Sequence, residues 1–271
     1  MQHIYQTKSR PVETKAFYLR VKEYYEKLWQ QNQDDHYRLE ALYYDLLVSP
    51  KEGYLRWKGV LKEAQIGWRK EFWGQLIGLA EGKNIQLKLR ALDKAEVAFE
   101  RGRLNYYQYQ WVAAIEAYEK ANNLFGECGH KIGQADAQKA IGDVYQSQRN
   151  YDAAIKYYDK ALTILRNVGY KFDEANILKA KGDVYQIHKG VGITTQTYNA
   201  AIKAYEDALK IYRDSNDRLG EANTLKALGD VYQSKRDIEA AIKKYQEALA
   251  LFSAIGDQVG QGKTLQSIGD A

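Results

Sequence analysis

Residues 257–264, Asp-Gln-Val-Gly-Gln-Gly-Lys-Thr, come within one residue of a phosphate-binding loop. Such a loop cradles phosphates with backbone N–H groups and a lysine; it needs glycine where Asp257 stands, and a strand before it. Here Gly260-Gln261-Gly262-Lys263-Thr264-Leu265 repeats the pattern of Gly220-Glu221-Ala222-Asn223-Thr224-Leu225. The segment therefore reads as a junction entering one helix and following another, and ATP binding there is not expected. The four histidines, His3, His36, His130 and His188, are scattered, with none at i, i+4 from another, so no metal site is expected. No Gly-x-Ser-x-Gly elbow, Cys-His constellation or Gly-x-Gly-x-x-Gly fingerprint occurs, and Asp143, Asp183 and Asp230 recur too regularly to be a general acid–base pair. The chain is read as a non-enzyme without a cofactor.

Composition points the same way. The 271 residues carry 40 Lys+Arg against 35 Asp+Glu, a net charge of +5 without a clustered basic stripe, so a nucleic acid is not the expected partner. Two prolines, Pro11 and Pro50, are too few for a turn-rich β fold, and 45% hydrophobic residues can build a sizeable core, so a mainly helical protein is expected. The single cysteine, Cys128, cannot form an internal disulfide and reads as a small packing residue. The first twenty residues lack the apolar run of a signal peptide, and no window approaches the ~18 apolar residues of a membrane helix. The expected location is cytoplasmic, with no membrane partner.

Beneath the chemistry lies a period of about forty residues. Gly-Asp-Val-Tyr begins at Gly142, Gly182 and Gly229, and Gly269-Asp270 starts it again, at offsets of 40, 47 and 40. Ala-Ala-Ile keeps step from Ala113, Ala153, Ala200 and Ala240, each followed five residues later by Tyr118, Tyr158, Tyr205 or Tyr245. Four repeats result, 91–130, 131–170, 171–217 and 218–257, with 258–271 as the first helix of a fifth or a capping helix. In the fourth, Ala222, Leu225, Gly229 and Tyr232 form one helical stripe (helix A); Ala241, Ile242, Tyr245, Leu249 and Phe252 form a second (helix B), with a break at 235–237. A glycine inside a helix costs about 1 kcal/mol relative to alanine, yet Gly102, Gly142, Gly182, Gly229 and Gly269 recur at one register. Close approach of the two helices explains this: Gly229 faces Ala241, with Tyr232 and Tyr245 filling the space beside them. The unit is a helical hairpin, and hairpins that cannot bury both faces alone must stack.

The succession Ala222, Leu225, Leu228-Gly229, Tyr232, Ala241-Ile242, Tyr245, Ala248 and Leu251 resembles the tetratricopeptide repeat. Its forty-residue length, with Gly220-Glu221-Ala222 before helix A and Gly256-Asp257 after helix B, is similar to the Leu-Gly-Asn subtype, although Asp230 replaces that subtype's asparagine. The resemblance covers 91–271 and is poorest in the first copy, where Arg103, Leu104 and Asn105 follow Gly102. It implies an all-α fold, an α-solenoid of stacked hairpins. The extra residues of the third repeat, within 187–199, read as a longer A–B turn.

Residues 1–84 lie outside the period and read as a helical cap or degenerate hairpins, with helices at about 13–30, 35–48, 50–66 and 69–82. Ser49-Pro50-Lys51-Glu52 carries the marks of a helix start: an N-cap serine, a proline in the first turn and a capping-box glutamate. Trp29, Trp57, Trp68 and Trp73 are expected in a core. The run Glu40-Ala41-Leu42-Tyr43-Tyr44, followed by Pro50, Gly53 and Glu63-Ala64, resembles the segment joining the NTPase module to the repeats in bacterial STAND-class proteins. That resemblance implies an alternative role, the sensor or oligomerisation arm of a signalling ATPase whose nucleotide-binding module is absent from this chain.

A second, polar stripe accompanies helix A: Asp136, Lys139, Asp143 and Gln146; Asn176, Lys179, Asp183 and Gln186; Asn223, Lys226, Asp230 and Gln233. In tetratricopeptide arrays helices A line the concave surface, so the resemblance implies that these side chains stack into ladders across a groove. Amides there could pair with the main chain of an extended peptide, while Lys and Asp rows select charges. A plainer reading of the Lys–Asp pairs is also open, as i, i+4 ion pairs within each helix. The expected partner is a protein or peptide, an extended segment or helix, and the uncapped C-terminal repeat leaves an apolar stripe open to self-association.

Overall fold

The computed structural model describes residues 11–187 and 195–271, and no strand occurs among them. Most of the longer turn expected at 187–199 lies outside the described residues, as do His3 and His188. No helix among the described residues is long and apolar enough to cross a membrane. Contacts divide the chain into two compact units, Met1–Gly129 and His130–Ala271.

The first unit holds α1 (Pro11–Asn32), α2 (Asp35–Val48), α3 (Pro50–Ile66), α4 (Lys70–Glu81), the short α5 (Lys83–Gln86), α6 (Ala91–Tyr107) and α7 (Trp111–Glu127). The four expected N-terminal helices are present within two residues at each end. Leu46 from α2, Trp57 from α3, Trp73 and Leu76 from α4 and Leu104 from α6 share one core, where the Trp57 indole donates to the Leu76 carbonyl at 2.7 Å. The first helix of the first repeat, α6, therefore packs with the N-terminal helices inside this unit and carries α7 with it. Buried Asp45 joins three helices through Lys22 and Arg56.

Three local expectations change. Trp68 is exposed, because it occupies the turn between α3 and α4 with φ +51° and meets the Tyr107 ring edge-on. Cys128 is also exposed, at the C-cap of α7, where that helix has run past its buried stripe. Helix α3 starts at Pro50 as the sequence indicates, but Ser49 makes no side-chain cap bond.

The second unit is a stack of hairpins: α8 (Lys131–Ser147) with α9 (Tyr151–Val168), α10 (Lys171–Ile187) with α11 (Thr195–Asp214), and α12 (Arg218–Ser234) with α13 (Ile238–Ile255), followed by α14 (Gln258–Gly269). Each helix B packs on the next helix A, and α10 touches α12 as α12 touches α14. This is an α-solenoid. Four of the five periodic glycines, Gly102 with its Tyr118 ring included, are explained by one contact, while nothing lies within 4 Å of a methyl group at Gly269. A methyl group on Gly142, Gly182 or Gly229 would fall less than 3.0 Å from ring carbons of Tyr158, Tyr205 or Tyr245. The helix B tyrosine packs directly on the bare backbone of its own helix A, a tighter arrangement than a ring merely filling space nearby. A second set of glycines serves the joint between repeats, since Gly220 receives the Tyr212 ring and Gly260 the Phe252 ring in the same way.

Candidate functional site

The buried tyrosines also position the polar stripe. The stripe lysine of each helix A pairs with the aspartate four residues on: Lys139 with Asp143 at 2.7 Å, Lys179 with Asp183 at 2.9 Å and Lys226 with Asp230 at 3.0 Å. Each aspartate also accepts the hydroxyl of the helix B tyrosine, from Tyr158 at 2.7 Å, Tyr205 at 2.7 Å and Tyr245 at 2.9 Å. The glutamine one turn further, Gln146, Gln186 or Gln233, meets the same phenol oxygen at 2.7, 3.1 and 2.9 Å. A phenol has one hydrogen to give and the carboxylate is the stronger acceptor, so the glutamine serves best with its NH2 turned to the phenol oxygen. Burial, and then the neighbouring aspartate, pushes the Tyr205 and Tyr245 phenols up, which keeps the donated proton in place.

Two positions of the stripe, the aspartate and the glutamine, thus tie helix A to helix B within each hairpin, and the lysine pairs with the aspartate inside helix A. Lysine and aspartate neutralise each other and the glutamine meets the phenol, so the fourth position, Asp136, Asn176 and Asn223, stands outside these ties. The Asn176 carbonyl oxygen accepts the Tyr212 hydroxyl at 2.8 Å, and its NH2 makes no hydrogen bond among the described residues. Exposed Asn223 donates to the Leu219 carbonyl of its own helix at 3.0 Å, so its oxygen faces solvent. Asp136 is half-buried, and burial followed by the charge of Asp173 pushes its carboxyl up to about 6 against the pull of Lys139 and His130.

Between α10 and α12 lies an open cleft of about 530 Å³. Asn176, Lys179, Asp183 and Gln186 line one side, and Asn223, Lys226 and Asp230 line the other, seven of the twelve residues singled out in the sequence. Asp136, Lys139, Asp143 and Gln146 stand apart on α8, and Gln233 donates to the Asp270 carbonyl at 3.0 Å. Sequence reasoning missed Tyr212, Asp217 and Leu219, which also line the cleft. A signal for Leu219 exists. Phe172, Leu219 and Val259 occupy one register, the second residue of α10, α12 and α14, and are 51%, 50% and 66% exposed. Among the described residues no group of three or more His, Cys, Asp or Glu could hold a metal ion.

The class of protein is a helical-hairpin repeat array. The tetratricopeptide repeat model matches residues 133–189 and 194–254, and the repeats of this segment are tetratricopeptide repeats. No curated protein matches the sequence. Among solved structures, the apo form of RapI is similar at 17% identity with a TM-score of 0.67, over 78% of this chain and 74% of that one. A signal transduction ATPase with numerous domains (STAND) that carries a tetratricopeptide repeat sensor, from Pyrococcus horikoshii, matches at 18% identity and TM-score 0.65, over 97% of this chain but only 44% of that one. The Rap conjugation gene regulator of plasmid pLS20 in complex with the Phr* peptide matches at 18% identity and TM-score 0.57, over 84% and 58% of the two chains. At these identities the likeness concerns the fold.

Proposed function

We propose that this protein is a non-catalytic interaction scaffold that holds an extended segment of a partner protein in the cleft between helices A of its repeats. The observation that carries the reading is the pair of asparagines facing the α10–α12 cleft. Asn176 offers an unbonded NH2 and Asn223 an exposed carbonyl oxygen, so together they can take a C=O and an N–H of a peptide main chain. Leu219 beside them adds apolar contact, while the Lys–Asp pairs, already neutralised, contribute little selection by charge. Each net hydrogen bond supplies about 0.5–1.5 kcal/mol, so affinity would accumulate over several repeats. The pLS20 Rap regulator, similar in fold, is seen with a peptide bound, which supports the reading.

The test is selection of binders from a displayed peptide library, followed by titration against Asn223→Arg. Its exposed side chain makes one bond within its own helix, so the substitution should leave the helices intact while filling the cleft. A loss of at least about tenfold in affinity, the worth of one or two such bonds, with an unchanged circular dichroism spectrum is expected; unchanged affinity contradicts the reading. Self-association through α14 belongs to the same reading, since Leu265 is 54% exposed where its register-mate Leu225 is 1% exposed.

A second reading is favoured by one comparison. The chain aligns over 97% of its length with 44% of a STAND protein that has a tetratricopeptide repeat sensor, as a sensor arm of such an ATPase would. An in-frame nucleotide-binding module in the encoding gene would support it, and a gene without one would remove it.

A further inference from the structure

Three helices A open on the same capping geometry with two chemistries. In α12 the Asp217 carboxylate accepts the Gly220 N–H at 2.9 Å, and in α14 the Asp257 carboxylate accepts the Gly260 N–H at 3.0 Å. In α8 the same register holds His130, whose Nδ1 accepts the Gly133 N–H at 3.0 Å. An imidazole accepts at Nδ1 only in the neutral tautomer that keeps its proton on Nε2; the imidazolium donates from both nitrogens. A positive charge there would also oppose the positive end of the helix dipole. Carboxylates stay ionised through the range in which imidazoles take up a proton.

We propose that His130 is a proton-operated latch: neutral, it locks the first turn of α8, and protonated, it releases that turn while α12 and α14 remain capped. The charge of His130 is felt at Asp136 on α8, together with those of Lys139 on α8 and Asp173 on α10. Asp136, six residues beyond the cap, is a carboxyl on which the charge of His130 acts. Protonation thus removes a backbone contact and changes the charge environment of a residue on the polar stripe. The latch operates whether or not the α10–α12 cleft takes a peptide.

Amide hydrogen exchange on the whole chain, corrected for intrinsic rates, tests it by comparing Gly133 with Gly220 and Gly260 between about pH 8 and about pH 5, the window of imidazole titration. The protection of Gly133 is expected to fall by about tenfold relative to Gly220 on acidification, the size of a lost N-cap. The Nδ1 nitrogen-15 shift should move from that of a bare ring nitrogen to that of a protonated one over the same range. In His130→Asp, which installs the cap of the other repeats, Gly133 and Gly220 should lose protection in parallel. Parallel behaviour in the unaltered protein, or the same relative fall in His130→Asp, would overturn the proposal.

Discussion

A mid-helix glycine is ordinarily a weak point, and replacing it with alanine ordinarily stabilises a helix by about 1 kcal/mol. Gly229 should behave in the opposite way, because its methyl group would enter the Tyr245 ring. Gly229→Ala is expected to destabilise the second unit by about 1–3 kcal/mol, the usual cost of overpacking. Gly262, with nothing within 4 Å of its Cβ position, should instead gain up to about 1 kcal/mol as alanine. Urea unfolding of both variants checks the contrast in sign. Asp136 gives a pH-dependent case. Its folded carboxyl, pushed up to about 6 from 3.8, holds a proton that the unfolded chain has already lost. The group therefore subtracts stability progressively between about pH 4 and pH 6 and by a constant amount above. Asp136→Asn should raise the unfolding free energy by on the order of 1 kcal/mol at neutral pH, after allowance for solvent screening of a half-buried group. Below about pH 4 the two proteins should unfold alike. The recurrence of these glycines was legible from spacing alone, but the ring that demands them was not, because spacing shows that two helices approach without showing which side chain lies between.

The helices and their breaks were readable because each apolar stripe ends where a turn begins. The turn chemistry was less so. Arg149 and Arg236 adopt φ values of +60° and +63° in the A–B turns, a conformation that arginine gives no hint of favouring. Between repeats the same left-handed role falls to Gly169, Asn216 and Gly256, where glycine and asparagine are the expected types. A left-handed residue with a Cβ costs about 1–2 kcal/mol, partly offset by the entropy that glycine loses on folding. Arg236→Gly is therefore expected to raise the melting temperature of the protein slightly, for a gain of up to about 1 kcal/mol; scanning calorimetry showing a loss would mean that the arginine side chain has a role its exposure conceals. The N-terminal helices were also placed by periodicity, yet their union with α6 and α7 was not, since shared burial of Leu46, Trp73 and Leu104 is a long-range fact that no local pattern carries.

For the molecule as a whole, the forty-residue period identified a stack of hairpins because only register-keeping repeats can bury each other's faces. The period also marked the polar stripe, but it could not divide that stripe into structural and available parts. Phenol hydroxyls from helix B claim Asp143, Asp183 and Asp230, and such claims depend on how two helices meet. In the proposed binding mode the asparagines are the groups that meet the ligand, and the apolar row of Phe172, Leu219 and Val259 adds a surface the polar pattern had hidden. The most direct measurement is nuclear magnetic resonance of the chain titrated with a selected peptide, following the side-chain amides of Asn176 and Asn223 and the methyl groups of Leu219. Shifts concentrated on these groups, with little change at Lys156 or Lys243 on helices α9 and α13, are what a peptide lying between helices A produces. Shifts on the B helices, with the asparagine amides unmoved, would contradict it.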